Sequence, residues 1–477
     1  MKFKTQLIFN KYFFTTSIIL LFISSITAQY NSDNFYKKPL KEVITKIEKQ
    51  FNITIKYADS LVANKYVNYA EWRFRNDAAT TLENVLNPFD LKFKIEKERV
   101  YKISNYEYYR WLPKDGWAEL DRISAQYTNL QTWQNRKTQL RIALLEALQL
   151  KNLPASPNST PIKTAQRKFD GYTVENIAIE ILPGVYINGS LYKPSVIVGK
   201  IPIILNPDGH WEKQRYRADC QLRCAAFAKM GAMAFSYDLF AWGESQLQFP
   251  LEDHRRSLSM TIQILGSIRI LDYLLSLKES DTSRVAITGG SGAGSHTVLL
   301  TAIDNRIKVS APVVAISSYF YGGCPCESGM PIHDCLGRTD NVEIAAMAAP
   351  RPQLLVSDGG DWTDKMPEHD FPYLQKMYGY YGKTMDVQNI HLANEKHDFG
   401  VNKRLAVYNF MAKYLSLNLK PIQFSNGTLN ESSIKIEPQE ALYVFGNKGE
   451  LLPLNAVIGF KNLENLFLNA IKKANKF

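Results

Sequence analysis

The chain has 477 residues, enough for two or three domains, and it carries a formal net charge of +11 at pH 7. It contains no cluster of basic residues with interleaved aromatic side chains, so we expect no nucleic-acid partner, whereas a basic surface favours acidic polysaccharide. No run of about 20 apolar residues follows the first 28 positions, so we expect no transmembrane segment in the mature chain.

The N-terminus has the pattern of a secretory signal peptide. Lys2, Lys4 and Lys11 precede an apolar stretch at residues 17–23, and the small residue Ala28 ends the segment. The stretch is shorter than a membrane-spanning helix requires, and no nearby cysteine offers a site for a lipid anchor. We therefore expect a signal peptide at residues 1–28 and an exported protein of a bacterial envelope, periplasmic or extracellular.

Residues 34–107 have a hydrophobic pattern of their own, which predicts a small α+β domain. The pattern consists of Leu40, Val43, Ile44 and Ile47, a strand at 53–57, then Ala78, Leu82, Val85 and Leu86, and a hairpin formed by 91–95 and 100–103. This module resembles the short domain at the N-terminus of secretins and TonB-dependent receptors. In that family it mediates protein contacts, so the resemblance implies an envelope protein partner, and a packing appendage is the alternative.

A charged segment at residues 117–150 follows, with helical periodicity and an apolar face that includes Leu140 and Leu144. We expect it to form a helical linker or cap that joins the small module to the rest of the chain. The Pro- and Ser-containing run at 154–159 ends it.

Strands and helices alternate from about residue 173 to 416. This alternation predicts an α/β domain at residues 151–420, with a mainly parallel sheet covered by helices on both faces. For residues 421–477 we expect a C-terminal extension packed on this domain, with strand-like pieces and a terminal helix at 463–473.

Ser291 lies in a Gly-rich run, residues 288–294, between an apolar strand and a helix-compatible stretch. Such a strand, turn and helix form a nucleophile elbow, in which small neighbours tolerate a serine in a strained conformation. The strict G-x-S-x-G pattern fails at Ala293, although Gly294 follows directly. The alternative is a Gly-rich turn that has no catalytic role. The residues that follow it in the chain have to exclude this alternative.

An acid and a histidine follow the serine in the chain order of α/β-hydrolases. Asp361 comes after a predicted strand at 352–357, and Asp358, closer to that strand, is the alternative acid. His397 comes after the next predicted strand, at 387–392. In this mechanism Asp361 fixes the tautomer of His397, which takes the proton of the serine as it attacks an acyl carbonyl.

The tetrahedral oxyanion of such a reaction needs two backbone N–H donors. Gly292, directly after the nucleophile, supplies one. We expect the other from the loop 206–211 after the predicted strand 201–205, at the amide of His210 or Trp211. For the His210 side chain, a structural hydrogen bond and a substrate contact both remain open.

The chain has five cysteines, an odd number, so at least one thiol has no partner within the chain. They are Cys220 and Cys224, followed by Cys324, Cys326 and Cys335. In an oxidising compartment a disulfide within each group is one interpretation, and buried thiols at helical spacing are another for the first pair.

A zinc site formed by Cys324, Cys326, His333 and Cys335 is the remaining interpretation of the second group. We do not favour it, because a C-x-C pair lacks the usual C-x₂₋₄-C spacing and a serine hydrolase needs no metal. The sequence-based expectation is therefore that the protein has no metal and no cofactor.

Three further residues are candidates for contacts with a substrate. Trp242 and Trp362 are able to stack on sugar rings, although tryptophans near a site are just as often part of the core. Glu327 follows the C-x-C pair in a segment expected at the carboxyl ends of the sheet, where it contacts either sugar or a cationic side chain.

Several of these runs resemble bacterial acetyl xylan esterase and cephalosporin-C deacetylase-like α/β-hydrolases over roughly residues 130 to 420. The similar runs are 209–211, 238–245, 288–294, 323–327, 349–352, 361–363 and the loop around His397. The resemblance implies a serine carbohydrate esterase that removes acetyl or other small acyl groups from an acetylated polysaccharide or oligosaccharide. It carries over the roles of Ser291, Asp361 and His397, one by one.

Two alternatives to this function remain at the level of sequence. A peptidase of the prolyl oligopeptidase kind shares the order of the triad, but no repeated blade pattern precedes the hydrolase. The second alternative is a non-catalytic envelope protein in which residues 34–107 would carry the function by binding a partner. The presence of candidates for all three residues of the triad counts against it. Nothing in the sequence distinguishes an acetyl ester from the methyl ester of a uronic acid.

Overall fold

The computed structural model describes residues 36–328 and 330–475. The chain divides into two compact units between Tyr108 and Tyr109. The signal peptide expected at residues 1–28 lies outside the described residues. In the part of the chain that is described, no helix combines the length and apolar character that a bilayer crossing requires.

The first unit is a small α+β domain. Its helices are α1 (Leu40–Phe51), α2 (Asp59–Val62) and α3 (Ala78–Leu86), and its strands are β1 (Lys38–Pro39), β2 (Thr54–Lys56), β3 (Tyr66–Val67), β4 (Leu91–Lys97) and β5 (Val100–Asn105). β5 pairs with β4 in an antiparallel hairpin and with β2 in parallel, while β1 pairs with β3. The apolar faces of α1 and α3 form the core of this unit, at the positions that the hydrophobic spacing predicts.

The second unit contains ten strands and ten helices among residues 109–475. The strands are β6 (Ile162–Lys163), β7 (Arg167–Phe169), β8 (Tyr172–Leu182), β9 (Val185–Pro194), β10 (Ile201–Pro207), β11 (Met233–Tyr237), β12 (Ser280–Gly290), β13 (Val309–Val313), β14 (Gln353–Asp358) and β15 (Val387–Leu392). The helices are α4 (Pro113–Ser124), α5 (Leu130–Ala147), α6 (Ala218–Lys229), α7 (Ser259–Ser276), α8 (Gly292–Ile303), α9 (Met330–His333), α10 (Asn341–Ala346), α11 (Asp370–Gly379), α12 (Val401–Leu415) and α13 (Phe460–Ala474).

All ten strands form one sheet, in the order β15-β14-β13-β12-β10-β11-β9-β8-β6, with β7 also paired to β8. The six strands from β15 to β11 are parallel to one another, and β9, β8, β7 and β6 pair in antiparallel fashion. The chain passes from β10 to β11 on one side and then to β12 on the other. The loops that follow β10 and β12 therefore run in opposite directions from the carboxyl ends of these two strands. The crevice between such loops is where α/β sheets bind ligands.

The sheet is covered on both faces because alternate residues of a strand point in opposite directions. Ile203 and Leu205 of β10 pack into one apolar cluster with residues of α7 and α8, while Ile204 packs into a second cluster with residues of α6 and α12. The side chains of Ile203, Ile204 and Leu205 are all fully buried. This is the α/β-hydrolase fold that the sequence predicts.

The segment predicted as a linker or cap and the C-terminal extension both contribute to the core of the second unit. Leu140 and Leu144 of α5 and Leu463 and Phe467 of α13 are fully buried and belong to the same apolar cluster as β10. The strand-like pieces expected in the extension do not form. Its described residues contain an isolated bridge between Gln423 and Leu429 and otherwise turns and helices.

Candidate active site

Ser291 stands at the sharp turn between β12 and α8. Its backbone has φ 57° and ψ −131°, a left-handed region that a non-glycine residue occupies only when its surroundings enforce it. A side chain at position 294 would place its Cβ 2.3 Å from Cβ of Ala315, so this position requires glycine. Ala293 is fully buried, and a Cβ at position 289 would lie 2.6 Å from its Cβ, so alanine at the fifth place of the motif is accommodated with glycine at positions 289 and 294.

The structure brings Ser291, His397 and Asp361 together in one hydrogen-bonded chain. His397 Nδ1 lies 2.5 Å from Asp361 Oδ2, and His397 Nε2 lies 3.0 Å from Ser291 Oγ. Because the carboxylate only accepts, Nδ1 carries the proton, and Nε2 is left to accept from the serine hydroxyl. The other oxygen of Asp361 accepts from the backbone N–H and the hydroxyl of Thr363, which fixes the carboxylate.

Asp358, the alternative acid, has a different partner. Its Oδ2 lies 3.1 Å from Nζ of Lys403, whose side chain is fully buried. Its Oδ1 accepts from the backbone N–H of Gly360. Burial raises the pKa of the Asp358 carboxyl, and the nearby charge of Asp361 adds to this effect. The structure therefore places Asp361, and not Asp358, against His397.

The residues predicted for the oxyanion hole lie beside the serine. Gly292 is the first residue of α8, so its N–H has no carbonyl partner within the helix. The His210 ring packs against Gly292 and leaves no room for a Cβ there, since Cε1 would be 2.5 Å away. Trp211 packs over Gly290, and its ring centroid lies 5.7 Å from that of His397. The loop after β10 thus adjoins the start of α8, as a shared oxyanion site requires.

A pocket of about 430 Å³ opens onto Ser291. Trp242, Glu327 and Trp362, the predicted substrate contacts, all line it. Trp362 stacks on Phe320, its indole N–H donates to the carbonyl of Ala315, and its ring lies 4.6 Å from the His397 ring. Glu327 accepts from the backbone N–H of Gly323, and burial raises the pKa of its carboxyl.

Arg255 also lines this pocket, and sequence reasoning missed it. Among the described residues it has no ion-pair partner, in contrast to its neighbour Arg256, which lies 3.6 Å from Asp253. The only signal in the sequence is a short charged run, 252–256, which is not distinguished from other charged runs of the domain, such as 212–219.

A cluster of histidine and cysteine side chains forms one wall of the pocket. It consists of His210, His254, Cys324 and Cys326. The zinc hypothesis drawn from the sequence is wrong about two of its four members. His333 Nε2 pairs with Oδ1 of Asn341, and the Cys335 thiol donates to a backbone carbonyl, so neither contributes to the cluster. All five cysteines are buried free thiols, and no disulfide links either group.

No family model and no curated protein matches the chain. Among solved structures it is similar to methylesterase BT1017, with 46% sequence identity and a TM-score of 0.83 over 94% of this chain and 99% of that one. It is also similar to a glucuronoyl esterase from Solibacter usitatus, at 17% identity and a TM-score of 0.43 over 60% of this chain and 93% of that one. An acetyl xylan esterase from Paenibacillus sp. R4 matches at 17% identity and a TM-score of 0.42, over 62% of this chain and 99% of that one.

The similarity to the methylesterase extends over nearly the whole of both chains, and its level of identity is far above that at which only the fold is shared. The chain therefore belongs to the same family as this methylesterase and is an esterase of the α/β-hydrolase type.

Proposed function

We propose that this protein is a serine esterase that hydrolyses the methyl ester of a uronic acid within an acidic glycan. The observation that carries the proposal is the chain of hydrogen bonds from Asp361 through His397 to Ser291, at the mouth of a pocket lined by tryptophan and arginine. The name of the related methylesterase supports the methyl ester as the bond that is cleaved.

In the first half of the reaction Ser291 Oγ attacks the acyl carbon of the uronic ester while His397 Nε2 takes its proton. The backbone N–H of Gly292 and that of His210 or Trp211 stabilise the oxyanion. The protonated His397 then returns the proton to the departing methoxide, methanol leaves, and the uronic acyl group stays on Ser291. Water, deprotonated by His397, completes the cycle and releases the uronate.

Arg255 supports an acidic glycan as the substrate. Its side chain borders the pocket and has no ion-pair partner among residues 36–328 and 330–475, so its guanidinium is able to bind the carboxylate of a neighbouring sugar. Trp242 and Trp362 offer apolar faces to sugar rings at the same pocket. The formal charge, +11 for the whole sequence and +8 without Lys2, Lys4 and Lys11 of the predicted signal peptide, favours such a substrate.

Removal of acetyl groups, which the sequence resemblance implies, uses the same three residues with a different product. In deacetylation the acetyl group is bonded to Ser291 in the acyl-enzyme, and the sugar hydroxyl is the leaving group. Export and an envelope partner for residues 34–107 remain part of the proposal, in line with the apolar N-terminal segment.

The test compares methanol release from a methyl-esterified polyuronate with acetate release from acetylated xylan, for the intact protein and for Ser291→Ala. We expect methanol release that the substitution abolishes. Acetate release that depends on Ser291, without methanol release, overturns the methyl ester and favours deacetylation. If a small aryl acetate is not cleaved either, the serine mechanism itself is wrong.

A further inference from the structure

The cluster beside the active site brings four donor atoms to one point. His210 Nε2 lies 2.8 Å from His254 Nε2, 3.1 Å from Cys326 Sγ and 3.4 Å from Cys324 Sγ. Cys324 Sγ lies 3.6 Å from His254 Nε2 and 2.7 Å from Cys326 Sγ. All four donors fall within 4.8 Å of one another.

Three members of the cluster are enclosed by the protein, while the His210 side chain is 21% exposed and faces the pocket. Cys326 is fully buried, His254 is 3% exposed and Cys324 is 6% exposed. The three buried groups need partners that satisfy all of them, because an unpaired buried polar atom is costly.

The tautomer of His254 directs a nitrogen lone pair toward the cluster. Its Nδ1 lies 2.5 Å from the carbonyl oxygen of Phe240, which only accepts, so Nδ1 carries the hydrogen. In the neutral ring the Nε2 lone pair then points at the cluster. The other ring has a carboxylate near its outer nitrogen, since Nδ1 of His210 lies 3.8 Å from Glu327 Oε1, which is beyond hydrogen-bond distance but close enough for a charge interaction. A backbone carbonyl or carboxylate behind the outer nitrogen is the usual support of a metal-binding histidine.

We propose that His210, His254, Cys324 and Cys326 form a tetrahedral Zn²⁺ site that joins the loops around the catalytic pocket. Two imidazoles and two thiolates are a donor set that zinc prefers. Donors about 2.0–2.3 Å from one zinc ion lie roughly 3.3–3.8 Å apart in a tetrahedron, so a movement of roughly half an ångström per donor accommodates the ion. Binding displaces the two thiol protons, and two thiolates balance the charge of the ion.

The site has a structural role because the protein supplies all four donors and leaves no position for a reacting water. His210 follows β10, His254 belongs to the short 3₁₀ turn Leu251–Arg255, and the two cysteines lie in the loop 322–328. One ion thus fixes three separate stretches of backbone. Because the His210 ring packs on Gly292, it also fixes the loop that faces the first N–H of α8.

A disulfide between Cys324 and Cys326 is the competing state of the same atoms. It would remove both thiolates and leave the imidazole lone pairs directed at a neutral sulfur pair and at each other. The convergence of two histidine nitrogens on the two sulfurs favours the ion.

The test is the zinc content of the full chain, purified without tag, added metal or chelator, by inductively coupled plasma mass spectrometry. We expect about one zinc per chain, and less than about a tenth of that in Cys326→Ser. Cys335→Ser is the matched control, because Cys335 is a buried thiol nearby that lies outside the cluster, and it should keep the full zinc content.

Two further measurements keep the proposal testable if Cys326→Ser does not fold. X-ray absorption of the unaltered protein should show two sulfur atoms at about 2.3 Å and two nitrogen atoms at about 2.0 Å from zinc. Titration of the denatured, unreduced protein should find all five thiols. Three thiols and no zinc establish the disulfide and overturn the site, as does a reduced protein with five thiols that binds no added Zn²⁺. None of these readouts depends on the esterase activity.

Discussion

The His210 ring lies against the backbone of Gly292, so that a Cβ at position 292 would stand 2.5 Å from its Cε1 and 2.6 Å from its Nδ1. A flexible side chain would yield to such a contact, but this ring is held by His254 and Cys326 on its other edge. The start of α8 and the loop after β10 are therefore fixed at a distance that only glycine permits.

Gly292→Ala should consequently lower kcat on a small aryl acetate by about tenfold to a hundredfold, because displacement of either backbone segment disturbs an oxyanion donor. Gly323→Ala is the matched control in the same pocket. Its Cβ would meet only Glu327 Oε1, at 3.8 Å, which is an ordinary contact. Equal activity of the two variants would show that the fit of His210 on Gly292 has no part in catalysis.

Asp361→Asn and Asp358→Asn should separate the two acids. Loss of the carboxylate behind His397 is expected to reduce kcat by roughly 10³–10⁴, since the imidazole adopts the wrong tautomer. Asp358→Asn should keep kcat within about tenfold but lower the free energy of unfolding by about 1–3 kcal/mol, because buried Lys403 loses one of its carboxylates. Steady-state kinetics and urea denaturation measure the two effects, and the opposite pattern would make Asp358 the catalytic acid.

Arg255→Gln should raise KM for a methyl-esterified polyuronate by about tenfold, the effect of losing a hydrogen bond to a charged group. Its KM for a neutral aryl acetate should not change. Arg256→Gln controls for the loss of one positive charge in the same turn, because Arg256 pairs with Asp253 and does not line the pocket. An unchanged KM for the polyuronate in Arg255→Gln would remove the carboxylate contact from the proposed function.

Asp370 gives a prediction for stability against pH. Burial raises its pKa to about 6 in spite of hydrogen bonds from the backbone and hydroxyl of Ser318. The folded protein then binds a proton that the unfolded chain, with a pKa near 3.8, has lost. The stabilising contribution of Asp370 is complete below about pH 4 and is lost as the pH rises to about 6, a change of about 3 kcal/mol.

Asp370→Asn should remove this slope from the pH dependence of the free energy of unfolding, measured by urea denaturation between pH 4 and 7. Asp115→Asn, at an exposed position of α4, should leave the slope as it is. A slope that persists in Asp370→Asn would assign the titration to another group.

The strands, and the meeting of Ser291, His397 and Asp361 at one place, follow from the sequence because both depend on local patterns in a fixed order. The predicted strand at 387–392 has the same bounds as β15. The serine, the acid and the histidine each follow a strand, and parallel strands bring their carboxyl ends to one edge. The preference for Asp361 over Asp358 is already made from the sequence, and the coordinates add a physical reason for it, since Asp358 pairs with Lys403 in a later helix.

The histidine and cysteine cluster was not predictable from spacing. Its members lie in three loops, and His254 belongs to a short turn without apolar periodicity. Spacing pointed to His333 and Cys335 because they are close in sequence to the C-x-C pair. In the fold, Asn341 and a backbone carbonyl bind these two side chains instead.

The strands predicted in the C-terminal extension do not form, for a related reason. Its backbone is bound by side chains of the catalytic domain and not by another strand. Glu244 accepts the N–H groups of Val444 and Phe445, and buried Arg215 donates to the carbonyl of Leu442. Apolar alternation gives no information about such partners.

The burial of α13 makes the core of the second unit depend on contacts between distant parts of the chain. Trp133 near the start of this unit and Phe467 near its end are both fully buried in one cluster. Such contacts form only after the long stretch of chain between them has been brought together, so they form more slowly than local contacts do. Loss of α13 would therefore leave the apolar side chains around Leu463 and Phe467 uncovered, which favours aggregation over folding.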